Sequence, residues 1–416
     1  MSALRRQLAP ALALLLLATC APPEAPETGA APEARAPEIR VGLLTGAPRL
    51  DVMGDSGLTI SDAEGATIAT AGAGESWRVR LDGPRLAAEG PPGWKVSGQP
   101  AVSLAPGMMG GLLYIGGKPY HGRLTVVRDR TGLTAINTVG FEDYLAGVVG
   151  AEMGRRDSSE AEALAAQAII SRTFAIRNLG KRATEGFDLY ATVADQVYGG
   201  VSAEYPLTRW AVSHTTGLVV TWQGVPIDAF FFSTCGGRTS DGTEVFAAAD
   251  RPYLVSIADT DPAGQAYCRI SPRYQWREEW TAEQLRGVLR QSLPTLTGTP
   301  PEQVGAVTAV EITQRTRSER VARVTVTLNR GRVSIEGPSV RLALHPVGEV
   351  SLRSAIFRLS EVREGGVLRS LVADGSGAGH GVGFCQWGSV GRARAGQDAP
   401  TILAAYFPGT SISRAY

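Results

Sequence analysis

Charge of one sign is missing from this 416-residue chain: 41 lysines and arginines face 40 aspartates and glutamates, a formal net charge of +1. No basic field therefore argues for a nucleic-acid partner. Long apolar runs are missing too, because LAPALALLLLA near the N-terminus is too short to cross a bilayer comfortably as a stable helix. The glycine-rich stretch DGSGAGHGVGFCQW at 374–387 is followed by no G-K-[ST] and leads into Gln386 and Trp387, which argues against a phosphate-binding loop. Cysteine is scarce, with four residues in all, at 20, 235, 268 and 385.

With 44% hydrophobic and 19% charged residues, the chain can bury a sizeable core as one large or two smaller domains. Its seven tryptophans and fifty glycines are compatible with a sugar-binding cleft without demanding one. Residues 1–20 have a basic start (Arg5, Arg6), an apolar run and then Thr19-Cys20, which reads as an export signal. LATC resembles a lipoprotein signal, with cleavage before Cys20 and lipidation of its thiol, so the expected location is the cell envelope; plain secretion is the alternative. Residues 21–37, rich in Pro, Ala and Glu, predict a tether.

Short alternating runs broken by Gly, Pro and Asp predict a β-rich region over 38–135, with a hairpin turning at Arg130-Thr131-Gly132. The remainder, 136–416, contains a β-rich elaboration at about 281–363, where alternating charge suggests an antiparallel sheet with one solvated face.

Phe141 to Asn178 organises the rest. Phe141, Tyr144, Leu145, Val148 and Val149 recur at the spacing of one apolar helix face, and Glu152 comes next on that face. An inward-facing carboxyl is disfavoured in its charged form and keeps a proton near neutral pH, as a general acid must; a buried glutamate satisfied by an arginine or a cap is the alternative. Gly147 and Gly150 weaken the helix. Ser159 and Glu162 have the spacing of a capping box ahead of EALAAQAIISRTFAIR. That second helix carries small residues around its circumference and should pack on several sides, which leaves Gln167 and Arg172 as polar groups near a core in need of partners. The fold class is α+β: mixed β-sheets, a buried central helix pair and a β-rich N-terminal region.

Further along, Tyr198 is either a cleft residue that stacks on a sugar or a half-buried core tyrosine. Glycines at 375, 377, 379, 381 and 383 give an extended segment one bare face, against which a polymer could lie. In an exported protein Cys235 and Cys268, flanking one excursion, are expected to be bridged, leaving Cys385 free. A metal would need three or four ligands, with His380 and Cys385 as the plausible additions to that pair.

The runs EDYLAGVVGAEM, EALAAQA and SRTFA resemble the signature segment of the SpoIID/LytB family, the stage II sporulation protein D group of peptidoglycan-degrading proteins. GHGVGFCQWGS resembles the family's second signature, GHGVGMSQWGA. Gln196-Val197-Tyr198 and the ST-x-GG pattern at 233–237 also match. The resemblance implies a lytic transglycosylase that cleaves the bond between N-acetylmuramic acid and N-acetylglucosamine to a 1,6-anhydro product. Glu152 would be its single general acid/base.

Arg172, Gln167, Tyr198, Ser233, Thr234, His380, Gln386 and Trp387 become candidates for holding the glycan. The chain departs from the family pattern at GRRDSSE after the glutamate, at Ala165 in place of a lysine and at Phe232 in place of a histidine. Some members have been described with zinc; without that histidine no cofactor is expected here. A wall-binding protein that localises or enhances an amidase is the other reading. A thiol hydrolase using Cys385 and His380 lacks a family motif around the cysteine.

Overall fold

The computed structural model describes residues 36–91, 93–247 and 249–416. The expected export signal, Cys20 and most of the expected tether lie outside the described residues.

The N-terminal region folds as expected into short strands in two sheets, antiparallel apart from the parallel pairing of Leu189–Tyr190 with Glu38–Ala47. One runs, in spatial order, Leu189–Tyr190, Glu38–Ala47, Leu133–Gly140, Arg123–Arg128, Ala101–Pro106, Leu58–Ser61, Thr67–Ala71. The other pairs Lys118–Tyr120, Leu113–Ile115, Arg49–Gly54, Ser76–Asp82, Arg85–Gly90 and Trp94–Gln99. Alternate residues such as Ile39, Val41, Val52, Ile60, Val79, Leu104 and Val126 are buried in a shared core.

The hairpin turn sits where the sequence places it. Asp129 accepts from the Thr131 N–H (2.6 Å), the Gly132 N–H (2.7 Å) and the Thr134 hydroxyl. That set of donors, Thr134 first, holds its carboxyl well below the usual carboxylate range. The strand after the turn runs to Gly140, buried on both faces, and feeds directly into the first helix.

Among the described residues seven helices follow: α1 (Phe141–Met153), α2 (Ala161–Arg177), α3 (Pro206–His214), α4 (Ala282–Thr297), α5 (Ser339–Ala343), α6 (Gln386–Arg394) and α7 (Ala399–Tyr406). Every apolar residue assigned to the inner face of α1 is fully buried. α2 is buried from Ala163 to Thr173 on all sides, because its alanines let α1, α3, α6, α7 and the strand Leu218–Trp222 approach closely. Its start corrects the sequence reading. No capping box forms: the N-cap of α2 is Glu160, without a side-chain cap, and Asp157 caps the short 3-10 turn ahead of it, accepting from the Ser159 N–H at 2.8 Å. Glu162 instead accepts from the Ala399 N–H at 2.8 Å, which ties α7 to α2.

The elaboration has its own hydrophobic core, built on Trp280, Leu285, Leu289, Val324, Val326 and Leu371. It is wider than 281–363: the strand Gln275–Thr281 opens it and Val367–Ser376 closes it, with Gln275 directly opposite Ser376. Its second sheet, Val307–Arg315, Val321–Leu328 and Gly331–Glu336, is antiparallel with alternating burial, as expected. On either side of this excursion Phe231–Phe232 pairs in parallel with Phe384–Cys385, which brings the chain back to α1 and α2.

Candidate active site

Glu152 projects from the last turn of α1 into a cleft of about 770 Å³. One carboxylate oxygen accepts from the Val197 backbone N–H (2.9 Å) and the other from the Gln386 side-chain amide (3.2 Å). Gln386 is itself steadied by Gln167, whose amide carbonyl lies 3.5 Å away and whose NH₂ donates to Ser171 at 3.0 Å. Burial raises the Glu152 carboxyl above its ordinary range, and the two hydrogen bonds pull in the opposite direction without cancelling it. The glycines that weaken α1 as an isolated helix serve this arrangement. A Cβ at Gly150 would lie 1.9 Å from the Ala203 carbonyl oxygen, and one at Gly147 would lie 2.7 Å from the Tyr198 ring. Only a bare helix surface lets the segment after Gln196 pass this close and deliver its N–H to Glu152.

Trp387 and Ser233 also line the cleft, together with Phe230, Phe231 and Phe246. The guanidinium of Arg156 lies 4.2 Å from the centroid of the Trp387 ring. Sequence reasoning passed over Arg156, which belongs to the stretch noted only as a departure from the family pattern. Asp195 lines the cleft as a second carboxylate, but it is tied to Lys181 (2.6 Å) and to the Tyr190 N–H (2.9 Å).

His380 stands in the wall with both nitrogens engaged: Nε2–H donates to the Phe231 carbonyl (2.9 Å) and Nδ1 accepts from the Val382 N–H (3.1 Å). Burial among aromatic rings pushes its pKa down to about 4, so it is a neutral imidazole with a fixed tautomer. It is positioned to hold two backbone segments together, not to shuttle protons or bind a metal.

The remaining candidates lie elsewhere. Arg172 is fully buried and is paired with Glu142 (2.7 Å), with its other donors on the Leu218 carbonyl and Thr215, so it neither orients Glu152 nor faces the cleft. Tyr198 is the core tyrosine of the two readings: its hydroxyl donates to Asn137 at 3.2 Å and its ring packs on Tyr120 and Tyr144. Thr234 is buried against the Ser271 hydroxyl at 2.9 Å. The glycine strip is not an extended ribbon. Gly377, Gly379, Gly381 and Gly383 all have positive φ, and a Cβ at Gly379 or Gly381 would strike Phe232 or Arg320 at 2.8 or 2.2 Å. The bare positions face protein, not an open groove.

The expected disulfide is absent. Cys235, Cys268 and Cys385 are all free and buried, with the first two sulfurs 3.5 Å apart. Burial pushes the Cys235 and Cys385 thiols up, whereas Cys268 is pushed down by those two neighbours and by the Gly236 and Gly237 N–H groups. Asp259, which no motif singled out, completes the group.

Fold and site together define an α+β protein with a half-buried glutamate, Glu152, at an aromatic cleft. The chain belongs to the stage II sporulation protein D (SpoIID/LytB) family. The family model described as stage II sporulation protein matches residues 129–222, and a domain of unknown function (DUF8618) matches 265–383. The chain is 30% identical to stage II sporulation protein D of Bacillus subtilis over 301 residues, 69% of this chain and 78% of that one. It is 29% identical to an uncharacterized protein of Brachyspira hyodysenteriae, over 72% of this chain and 73% of that protein. It is also 28% identical to the amidase enhancer of Bacillus subtilis, over 65% of this chain and 40% of that protein.

Proposed function

We propose that the protein cleaves the glycan strand of peptidoglycan by lytic transglycosylation, from the outer side of the membrane and tethered there by a lipid on Cys20. The observation that carries this reading is Glu152: a carboxyl whose pKa burial raises, aimed into the cleft, and fixed by one backbone and one side-chain donor. In the acid step Glu152 gives its proton to the glycosidic oxygen as the bond to the muramic-acid C1 breaks. The carboxylate left behind then takes the proton of the muramic-acid C6 hydroxyl as that oxygen closes on C1, which restores the acid and leaves a 1,6-anhydro sugar. One carboxylate suffices because the substrate supplies its own nucleophile. This agrees with the engagement of Asp195 by Lys181 and of His380 by backbone. The phenylalanine and tryptophan rings offer flat apolar faces to the sugars.

Phe232 in the place of the family's histidine supports the second reading, a wall-binding protein that enhances an amidase; the relationship to the amidase enhancer adds to it. One experiment separates the two. Purified protein is incubated with peptidoglycan, with and without stem peptides, and the products are separated for anhydro-muropeptides. Release by the wild type and a fall of about 10²- to 10⁴-fold in Glu152→Gln supports catalysis. The variant should retain the wild-type fold, since Gln preserves size and a hydrogen-bond acceptor and removes a carboxylate that burial disfavours. A wild type that releases nothing, yet accelerates an added amidase, establishes the enhancer reading.

A further inference from the structure

The four side chains under the floor of the cleft have the composition and spacing of a metal site. One ligand atom from each of Cys235, Asp259, Cys268 and Cys385 lies within 4.8 Å of all the others, and all four residues are buried. The Cys235 sulfur is 3.5 Å from the Cys268 sulfur and 3.2 Å from an Asp259 oxygen. Tetrahedral coordination with metal–sulfur bonds of about 2.3 Å and a metal–oxygen bond of about 2.0–2.2 Å requires edges of about 3.5–3.8 Å. The two edges at Cys235 are within a few tenths of an ångström of these values, and none of the others exceeds 4.8 Å.

The surroundings are those of thiolate ligands. Backbone N–H groups point at sulfur: Gly237 at Cys235 (3.3 Å), and both Cys235 (3.1 Å) and Gly388 (3.2 Å) at Cys385. Asp259 is oriented by Arg392 (2.9 Å) and by the Tyr406 hydroxyl (2.9 Å), the outer-shell arrangement that fixes a ligating carboxylate. Gly388 has no side chain for a reason: a Cβ there would lie 2.1 Å from the Asp259 oxygen. Three thiolates and a carboxylate around a dication leave two negative charges, one of which Arg392 offsets through its ion pair with Asp259 at 2.9 Å.

We propose that Cys235, Cys268, Cys385 and Asp259 bind one zinc ion as a closed structural site. Sulfur-rich tetrahedral sets favour zinc over hard cations, and with four protein ligands no position is left open for a substrate. The ion joins three separate stretches of chain. One of them is Cys385, which caps α6 and precedes Gln386, the partner of Glu152. The site is thus a clamp under the acid/base residue and takes no part in bond cleavage. It rests on geometry independent of the glycan-cleavage reading.

The test measures metal, not turnover. Full-length protein, purified without chelator, should carry about one zinc per chain, and X-ray absorption should show three sulfurs and one oxygen around it. All three thiols should resist alkylation in the native state and all three should be alkylated after unfolding in chelator without reductant. Cys268→Ser and Asp259→Asn should lower the zinc content and the melting temperature. Should a variant fail to fold, the wild type loaded with cobalt(II) provides the same readout through thiolate-to-metal absorption. A disulfide between any two of these cysteines, metal-free protein that takes up no zinc or cobalt when refolded with it, or stoichiometric zinc retained in folded Cys268→Ser would each overturn the proposal.

Discussion

Gly150→Ala sets two effects of known size against each other. In an ordinary helix interior the change stabilises by about 0.8–1.0 kcal/mol. In α1 the new methyl would lie 1.9 Å from the Ala203 carbonyl oxygen and 2.8 Å from its carbon. Backbone has to move to clear it, and overpacking of this kind costs about 1–3 kcal/mol. A contact with rigid backbone belongs at the upper end of that range, so the expected net effect is a loss of about 1–2 kcal/mol. The same movement withdraws the Val197 N–H from Glu152. That bond lowers the carboxyl's pKa, so weakening it raises a value that burial has already raised. The acid form then persists to higher pH, and the alkaline limb of the cleavage profile moves upward.

The control is Gly287→Ala in α4, where an added Cβ meets nothing within 4 Å. It should gain about 1 kcal/mol and leave the profile where it was. Urea unfolding is the better measure of stability, because at an unfolding entropy of about 2 cal/mol/K per residue a chain this long shifts only about 1 °C per kcal/mol. A Gly150→Ala protein as stable as Gly287→Ala, with an unmoved pH profile, would refute the claim that the bare helix surface positions the donor.

Glu142→Gln removes the partner of a fully buried guanidinium. The loss should approach the lower end of the roughly 3–5 kcal/mol typical of a broken buried pair, with glycan cleavage per folded molecule unchanged; a selective fall in turnover at unaltered stability would return Arg172 to the site. Cys20→Ser should move the protein from the membrane fraction to the soluble exported pool, and identical fractionation of both forms would rule out the lipid anchor.

What could be read from the sequence followed from periodicity. The inner face of α1 was legible because five apolar residues and Glu152 share one helical stripe, and the 130–132 turn because its residues dictate a local geometry. The capping box ahead of α2 misled because Ser159 falls inside a short 3-10 turn capped by Asp157, and the spacing of Ser159 and Glu162 does not reveal that turn. The glycine strip misled because alternate glycines look the same in a strand and in a succession of left-handed turns. Arg172 was misplaced because its partners Glu142, Thr215 and Leu218 are far away in the chain. Cysteine spacing suggested a pair; the third thiol and Asp259 join it only in three dimensions.

The junction at Gln275 and Ser376 has a consequence for how such chains can diversify. Because these residues face each other across one ladder, roughly a hundred residues leave and re-enter the body at a single point, as in a domain insertion. To the strands and helices around the cleft, the whole excursion is a turn of negligible span. It can lengthen, shorten or be exchanged between lineages without disturbing the register of Phe231–Phe232 on Phe384–Cys385. It still reports to the body through Ser318, bonded to Glu244, and through Arg320, donating to the Arg238 carbonyl. A lineage that swaps this cassette must either keep attachments such as these or evolve substitutes for them.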